Sequence, residues 1–77
     1  MSTKSVIFSN PDDVIDFVKI VEKYPFDMDM KRGRYIVDAK SMLGVFSLPQ
    51  FDNVELVLHS NEIENVKIQL SKFNLLK

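Results

Sequence analysis

Phe26-Asp27-Met28-Asp29-Met30-Lys31-Arg32-Gly33-Arg34-Tyr35-Ile36-Val37-Asp38-Ala39-Lys40-Ser41-Met42-Leu43-Gly44-Val45-Phe46-Ser47-Leu48-Pro49 is the stretch that decides the fold. From Phe26 to Lys31 apolar and charged residues alternate, with Phe26, Met28 and Met30 on one side and Asp27, Asp29 and Lys31 on the other. Successive side chains point to opposite faces only in a strand, so this alternation predicts a half-buried one. Arg32-Gly33 can turn the chain, and Arg34 to Ala39 returns as a partner strand. Ser41 can cap a short helix from Met42 to about Leu48, which Pro49 stops.

The same reading extends in both directions. Upstream, Ser5 to Phe8 carries β-branched and aromatic bulk and predicts a first strand. Asn10-Pro11-Asp12-Asp13 is a helix start: Asn10 suits the cap, Pro11 the first helical position, and the two carboxylates the positive end of the helix dipole. Val14, Phe17, Val18 and Val21 recur at steps of three and four, which predicts a helix to about Lys23, ended by Tyr24-Pro25. Downstream, Glu55 to His59 reads as a fourth strand, with Val54, Leu56 and Leu58 pointing one way and Glu55, Val57 and His59 the other. Asn61 or Ser60 can cap a last helix, in which Ile63, Val66 and Leu70 form the stripe and Ile68 and Phe73 flank it. The order β-α-β-β-α-β-α predicts one α+β domain over residues 1–77, an open-faced sandwich: a four-stranded antiparallel sheet with helices on one face and the other face wet.

Composition narrows the function classes. A 77-residue chain buries only about 60% of the surface it exposes unfolded, so its stability margin is thin. The formal net charge is −1, which offers no field to attract nucleic acid or an anionic membrane. There is no cysteine. That excludes thiol catalysis and cysteine-ligated zinc, and in so small a domain it favours a reducing, cytoplasmic setting. The N-terminal Met-Ser-Thr-Lys-Ser leads into no long apolar run, so neither a signal peptide nor a membrane span is expected. No cofactor or metal site is expected either.

The element order and several segments resemble the HPr phosphocarrier proteins of the bacterial sugar phosphotransferase system. Val37 to Leu48 is similar to the family's segment around its regulatory serine, with Lys40-Ser41, Gly44 and Ser47-Leu48 at matching positions. Lys23-Tyr24, Phe26-Asp27-Met28 and Val54-Glu55-Leu56-Val57-Leu58 align with the end of the first helix and with the second and fourth strands. The match runs ungapped from about Ser9 to Ser60. At the carrier motif, Gly-x-His-Ala-Arg-Pro-Ala, the chain departs: the aligned stretch is Phe8-Ser9-Asn10-Pro11-Asp12-Asp13-Val14. Asn10 stands where the phosphorylated histidine would be, and Asp12 where the supporting arginine would be.

That substitution removes the chemistry. A phosphocarrier needs a nucleophile that forms a labile phosphoryl bond, and an amide is not one. The free N–H groups at a helix start hold phosphate. Here the Asn10 side chain is expected to occupy them, with Asp13 completing a capping-box-like pair. No catalytic residue is assigned, and an enzyme is not expected.

What the resemblance implies for the rest is binding and regulation. Ser41 matches the serine that a kinase phosphorylates in many relatives; as an ordinary helix cap it needs no such role. A phosphate there would gain a helix start and the neighbouring Lys40. Met42, Leu43, Val45, Phe46 and Leu48 are too many apolar residues for one face of so short a helix, so some are exposed. By the resemblance, Lys40, Met42, Leu43 and Phe46 form a partner-binding surface; the alternative is that Met42 and Leu43 pack on Phe51 or the first helix.

Lys31, Arg32 and Arg34 beside Gly33 form a basic cluster, read as a solvated turn or an anion site. His59, the only histidine, is an exposed strand residue or a relocated phosphoryl acceptor. Three functions follow. The first is a regulatory module that binds proteins, among them phosphotransferase-system components or a serine kinase. The second is a phosphoryl-transfer component using His59 or Ser41. The third is a structural subunit, monomeric or weakly homodimeric, with the wet sheet face as the contact of a homodimer.

Overall fold

Alternation in the strands sets the architecture. The computed structural model describes residues 2–48 and 52–77. In chain order its elements are β1 (Ser2–Val6), α1 (Pro11–Val21), β2 (Met28–Arg32), β3 (Tyr35–Asp38), α2 (Met42–Phe46), β4 (Val54–Leu58) and α3 (Glu64–Lys72). The strands form one antiparallel sheet in the order β1-β4-β2-β3. Val6, Met28, Met30, Val54, Leu56 and Leu58 are buried, and they share one core with Val14, Phe17, Val18, Val21, Val45, Val66 and Leu70 of the helices. The alternate residues Lys31, Ile36 and Glu55 are exposed. Every buried strand side chain therefore turns to the helices, and the opposite face stays open. The result is α+β with a four-stranded open sheet and three helices, compatible with an open-faced sandwich.

Several boundaries differ from the sequence-based expectation, each for a tertiary reason. The first strand is Ser2–Val6 and not Ser5 to Phe8. Its extent is set by β4, against which it pairs from Ser2↔Leu58 to Val6↔Val54. Phe8, a good strand former, leaves the sheet and packs edge-on against Phe17, with ring centroids 5.4 Å apart. β4 runs from Val54 to Leu58, one residue earlier at each end than the expected Glu55 to His59. The hairpin loop is Gly33-Arg34, since Arg32 still pairs with Tyr35; Gly33 sits at φ +57°, where a side chain would be strained. α1 ends at Val21, and the chain tightens through Lys23 N–H to Ile20 O and Tyr24 N–H to Val21 O. α2 ends at Phe46, and Pro49, its expected stop, lies outside the described residues.

The C-terminal part departs most. α3 has Ile63 at its cap position with no side-chain cap. Ser60 instead accepts the Glu62 N–H at 2.9 Å, inside the preceding turn, and Asn61 does not cap the helix. Ile68 and Phe73 are half-exposed. The residue that takes the core position is Leu75, fully buried. Asn74 adopts φ +57°, Leu75 N–H bonds Leu70 O at 3.0 Å, and Asn74 N–H bonds Ser71 O at 3.0 Å. This is a Schellman cap, in which the residue after the left-handed one folds back onto the last turn. The next residue, Leu76, bridges to Val6 and carries the chain along β1.

Leu75→Ala is expected to cost about 2–5 kcal/mol, the range for truncating a buried leucine. Phe73→Ala should cost far less, because half of that side chain is in water. Urea denaturation of the two variants checks the order; equal losses would contradict the burial assigned here.

Candidate functional site around the starts of α1 and α2

The start of α1 is closed by its own side chains. Asn10 is extended, at φ −157° and ψ 168°, and its carboxamide oxygen accepts the Asp13 N–H at 3.2 Å. The Asp13 carboxylate accepts the Ser9 N–H at 2.7 Å. The expected reciprocal pair forms, but its return arm reaches Ser9 and not the backbone of Asn10. Pro11 has no N–H to offer. A group arriving here meets two carboxylates, Asp12 and Asp13, and finds the Asp13 N–H already used. The site repels an anion instead of holding one.

At α2, Ser41 caps the helix: its hydroxyl accepts the Gly44 N–H at 3.0 Å and its carbonyl accepts the Val45 N–H at 2.9 Å. Gly44 allows this closeness, since a Cβ there would lie 3.2 Å from the Ser41 hydroxyl and 3.3 Å from its Cβ. Ser41 is half-buried. Lys40 is placed differently from the expectation of a cation beside the serine. Its ammonium bonds Tyr24 O at 2.5 Å, which straps the β3–α2 turn to the exit of α1. Its backbone N–H is held by the Asp38 carboxylate at 2.9 Å.

The apolar residues of α2 divide. Val45 and Leu48 are buried, whereas Met42, Leu43 and Phe46 are exposed, Leu43 by 85%. Positions 42, 43 and 46 are one and three to four residues apart, so they share one side of the helix. The alternative packing partner considered for Met42 and Leu43, Phe51, lies outside the described residues.

His59 is not isolated. Its Nε2 lies 2.9 Å from the Asp29 carboxylate across the sheet. Asp27, Asp29 and Asp38 line the same shallow hollow. Asp29 and Asp38 are directly opposite in the β2–β3 register. An incoming phosphoryl group would meet three carboxylates there. Among the described residues no group of three His, Asp or Glu side chains is placed to hold a metal ion.

The basic cluster is dispersed. Lys31 faces Glu55 across the β2–β4 ladder. Arg32 binds Asp52 through Nη2 to the carboxylate at 2.9 Å and through Nε to the carbonyl at 3.1 Å and the carboxylate at 3.2 Å. This fork fastens the hairpin end to the segment that enters β4. Sequence reasoning missed this pair, the Lys40 strap and the His59–Asp29 contact. All three join residues 16 to 30 positions apart, a range over which local pattern carries no signal.

Compared with protein-family models, curated proteins and solved structures, the chain matches none.

Asn10→Ala and Asp13→Ala are each expected to cost about 1 kcal/mol as lost helix caps. Their double-mutant cycle should show coupling of about 0.5 kcal/mol or more, since they bond one another's turn; strict additivity in chemical denaturation would show that they do not act together. A second expectation concerns acid. Hydrogen bonding from Arg32, against a smaller desolvation effect and aided by the guanidinium charge, holds the Asp52 carboxyl below its ordinary value of 3.8. A depressed carboxylate contributes stability that is present above the unfolded value and is lost as pH falls through the folded one. Asp52→Asn should thus flatten the dependence of thermal midpoint on pH below about pH 4 and leave a small, exposed-pair effect at neutrality.

Proposed function

We propose that this chain is a non-catalytic, HPr-like module of phosphotransferase regulation, which docks on partner proteins through the exposed side of α2 and carries Ser41 as its regulatory phosphosite. The observation that carries this reading is a contrast between the two helix starts. At α1, where a carrier would hold phosphate, Asn10 and Asp13 close the turn upon themselves. At α2, Leu43 lies outside and Met42 and Phe46 are partly exposed, although Val45 and Leu48 of the same segment are buried. A flexible methionine beside an 85%-exposed leucine suits a surface that adapts to a partner.

The partners in this reading are proteins: components of the sugar phosphotransferase system, or a serine kinase that modifies Ser41. A phosphate on Ser41 would stand beside exposed apolar residues and alter their docking by charge. Because the Lys40 ammonium sits on Tyr24 O, the phosphate would act mainly on the partner and not by recruiting that lysine. The competing reading, phosphoryl transfer through His59, is weakened by the carboxylates of Asp27, Asp29 and Asp38 that share its hollow and would repel an incoming phosphoryl group.

Intact mass after incubation with phosphoenolpyruvate and the system's first enzyme is the test. No phosphate is expected on the wild-type chain. One acid-labile phosphate that disappears in His59→Gln would overturn the reading in favour of a relocated carrier. Asn10→His in parallel reports whether docking to that enzyme survives. Met42→Asp should weaken partner binding about tenfold or more, as loss of an anchor does, with the thermal midpoint little changed; unchanged binding would exclude the α2 surface.

A further inference from the structure

We infer that β3 is a self-pairing edge, through which two copies of the chain join their sheets antiparallel about a two-fold axis at Ile36. The inference does not rest on the docking role of α2. The sheet order leaves β1 and β3 as its two edges. The β1 edge is covered by the chain itself from Ser5 to Ile7: Ile7 N–H bonds Leu75 O at 2.9 Å, Lys77 N–H bonds Ser5 O at 3.0 Å, and Leu76 bridges Val6. The β3 edge has no such cover among the described residues.

The direction of the backbone groups follows from one bond. Ala39 N–H donates to Met28 O at 3.0 Å, in the same register as Tyr35↔Arg32. Tyr35, Val37 and Ala39 therefore turn their N–H and C=O groups to β2, and those of Ile36 and Asp38 point out of the sheet. The Asp38 carbonyl is taken by Ser41 N–H at 3.1 Å. The Ile36 N–H and C=O have no partner among the described residues. Ile36 and Tyr35 are 63% and 51% exposed. Between Tyr35 and Asp38 there is no lysine, no proline and no break in register, the devices by which edges avoid pairing.

The occupant follows from charge. With Ile36 opposite Ile36 of a second copy, the two isoleucines exchange both backbone bonds. Tyr35 then faces Val37 and Arg34 faces Asp38, each twice by symmetry. Aromatic against β-branched and opposite charges are favourable cross-strand pairs. Sliding one strand by two residues sets Arg34 against Lys40, like charges, and asks the Asp38 carbonyl for a second bond. The register centred on Ile36 is self-complementary, as a two-fold interface requires. An interface of two four-residue strands is small, so the dimer is weak and forms at high concentration.

Analytical ultracentrifugation of the full chain at low salt, from about 10 μM to about 1 mM, is the test, because interfaces this small associate in that range. The mean mass should rise toward twice the monomer. The Ile36 amide should exchange more slowly as concentration rises, and the Val37 amide should not change. Ile36→Lys, on the open face and harmless to the monomer, should abolish the rise. Arg34→Asp alone and Asp38→Arg alone should each weaken self-association about tenfold by setting like charges opposite, and an equimolar mixture of the two should associate again. A chain that stays monomeric at the highest concentration, association indifferent to Ile36→Lys, or association removed by Met42→Asp instead would each overturn the inference. So would failure of the mixed variants to recover.

Discussion

Everything else in this domain depends on the one-sided burial of β4 between β1 and β2. Val54, Leu56 and Leu58 are essentially inaccessible to water, while Glu55 between them is exposed. A slip of one residue would carry Glu55 and Val57 into the core and three apolar side chains into water. At about 25 cal/mol per Å² of apolar surface, that error exceeds any local preference of the neighbouring strands. The register of β1 and β2 on either side follows from it, and so does the single face on which α1 and α3 must settle. The open face is the necessary counterpart, since three helices cover one side of a sheet and no more.

The starts of α1 and α2 differ because of how each spends its backbone groups. A helix start offers free N–H groups, and these either bind a ligand or are satisfied locally. At α1 the local solution wins, with Asn10 and Asp13 supplying acceptors and Asp12 and Asp13 supplying like charge against any anion. At α2 the cap is equally local, through Ser41 and Gly44, but the helix is only five residues long. It cannot bury all its apolar side chains against β3 and α1, and the surplus lies in water. The proposed docking surface is thus a consequence of helix length as much as of residue choice.

The legible parts were those with a local cause. The Met28-Asp29-Met30-Lys31 alternation, the Asn10-Pro11 start and the Ser41 cap each act within four residues, and each was read correctly. Phe8 was misplaced and Leu75 missed because β or helical preference says nothing about a partner: Phe8 leaves the sheet to meet Phe17, and Leu75, beyond the end of α3, takes a core position. Asn74 was the available signal for the latter, since asparagine tolerates the left-handed conformation that ends a helix, and an apolar residue after it completes the motif. Of the candidate site residues, the roles of Asn10 and Ser41 as caps were legible, and so was the surplus of apolar residues on α2, though not which of them lie outside. The engagement of Lys40 with Tyr24 and of His59 with Asp29 was not.

The sequence by itself determined the number and order of elements, the apolar side of the second and fourth strands and the absence of a nucleophile at position 10. These follow from periodicity and from the chemistry of single residues, which need no neighbours. Only the tertiary structure decided where the strands end, which edge the C-terminus covers, which apolar residues of α2 remain outside, and which cations are already committed. Those outcomes depend on which distant segments compete for the same space and the same hydrogen-bond partners. Arg32 meeting Asp52, and Lys40 meeting Tyr24, are decided by that competition and by nothing in the local pattern of either residue.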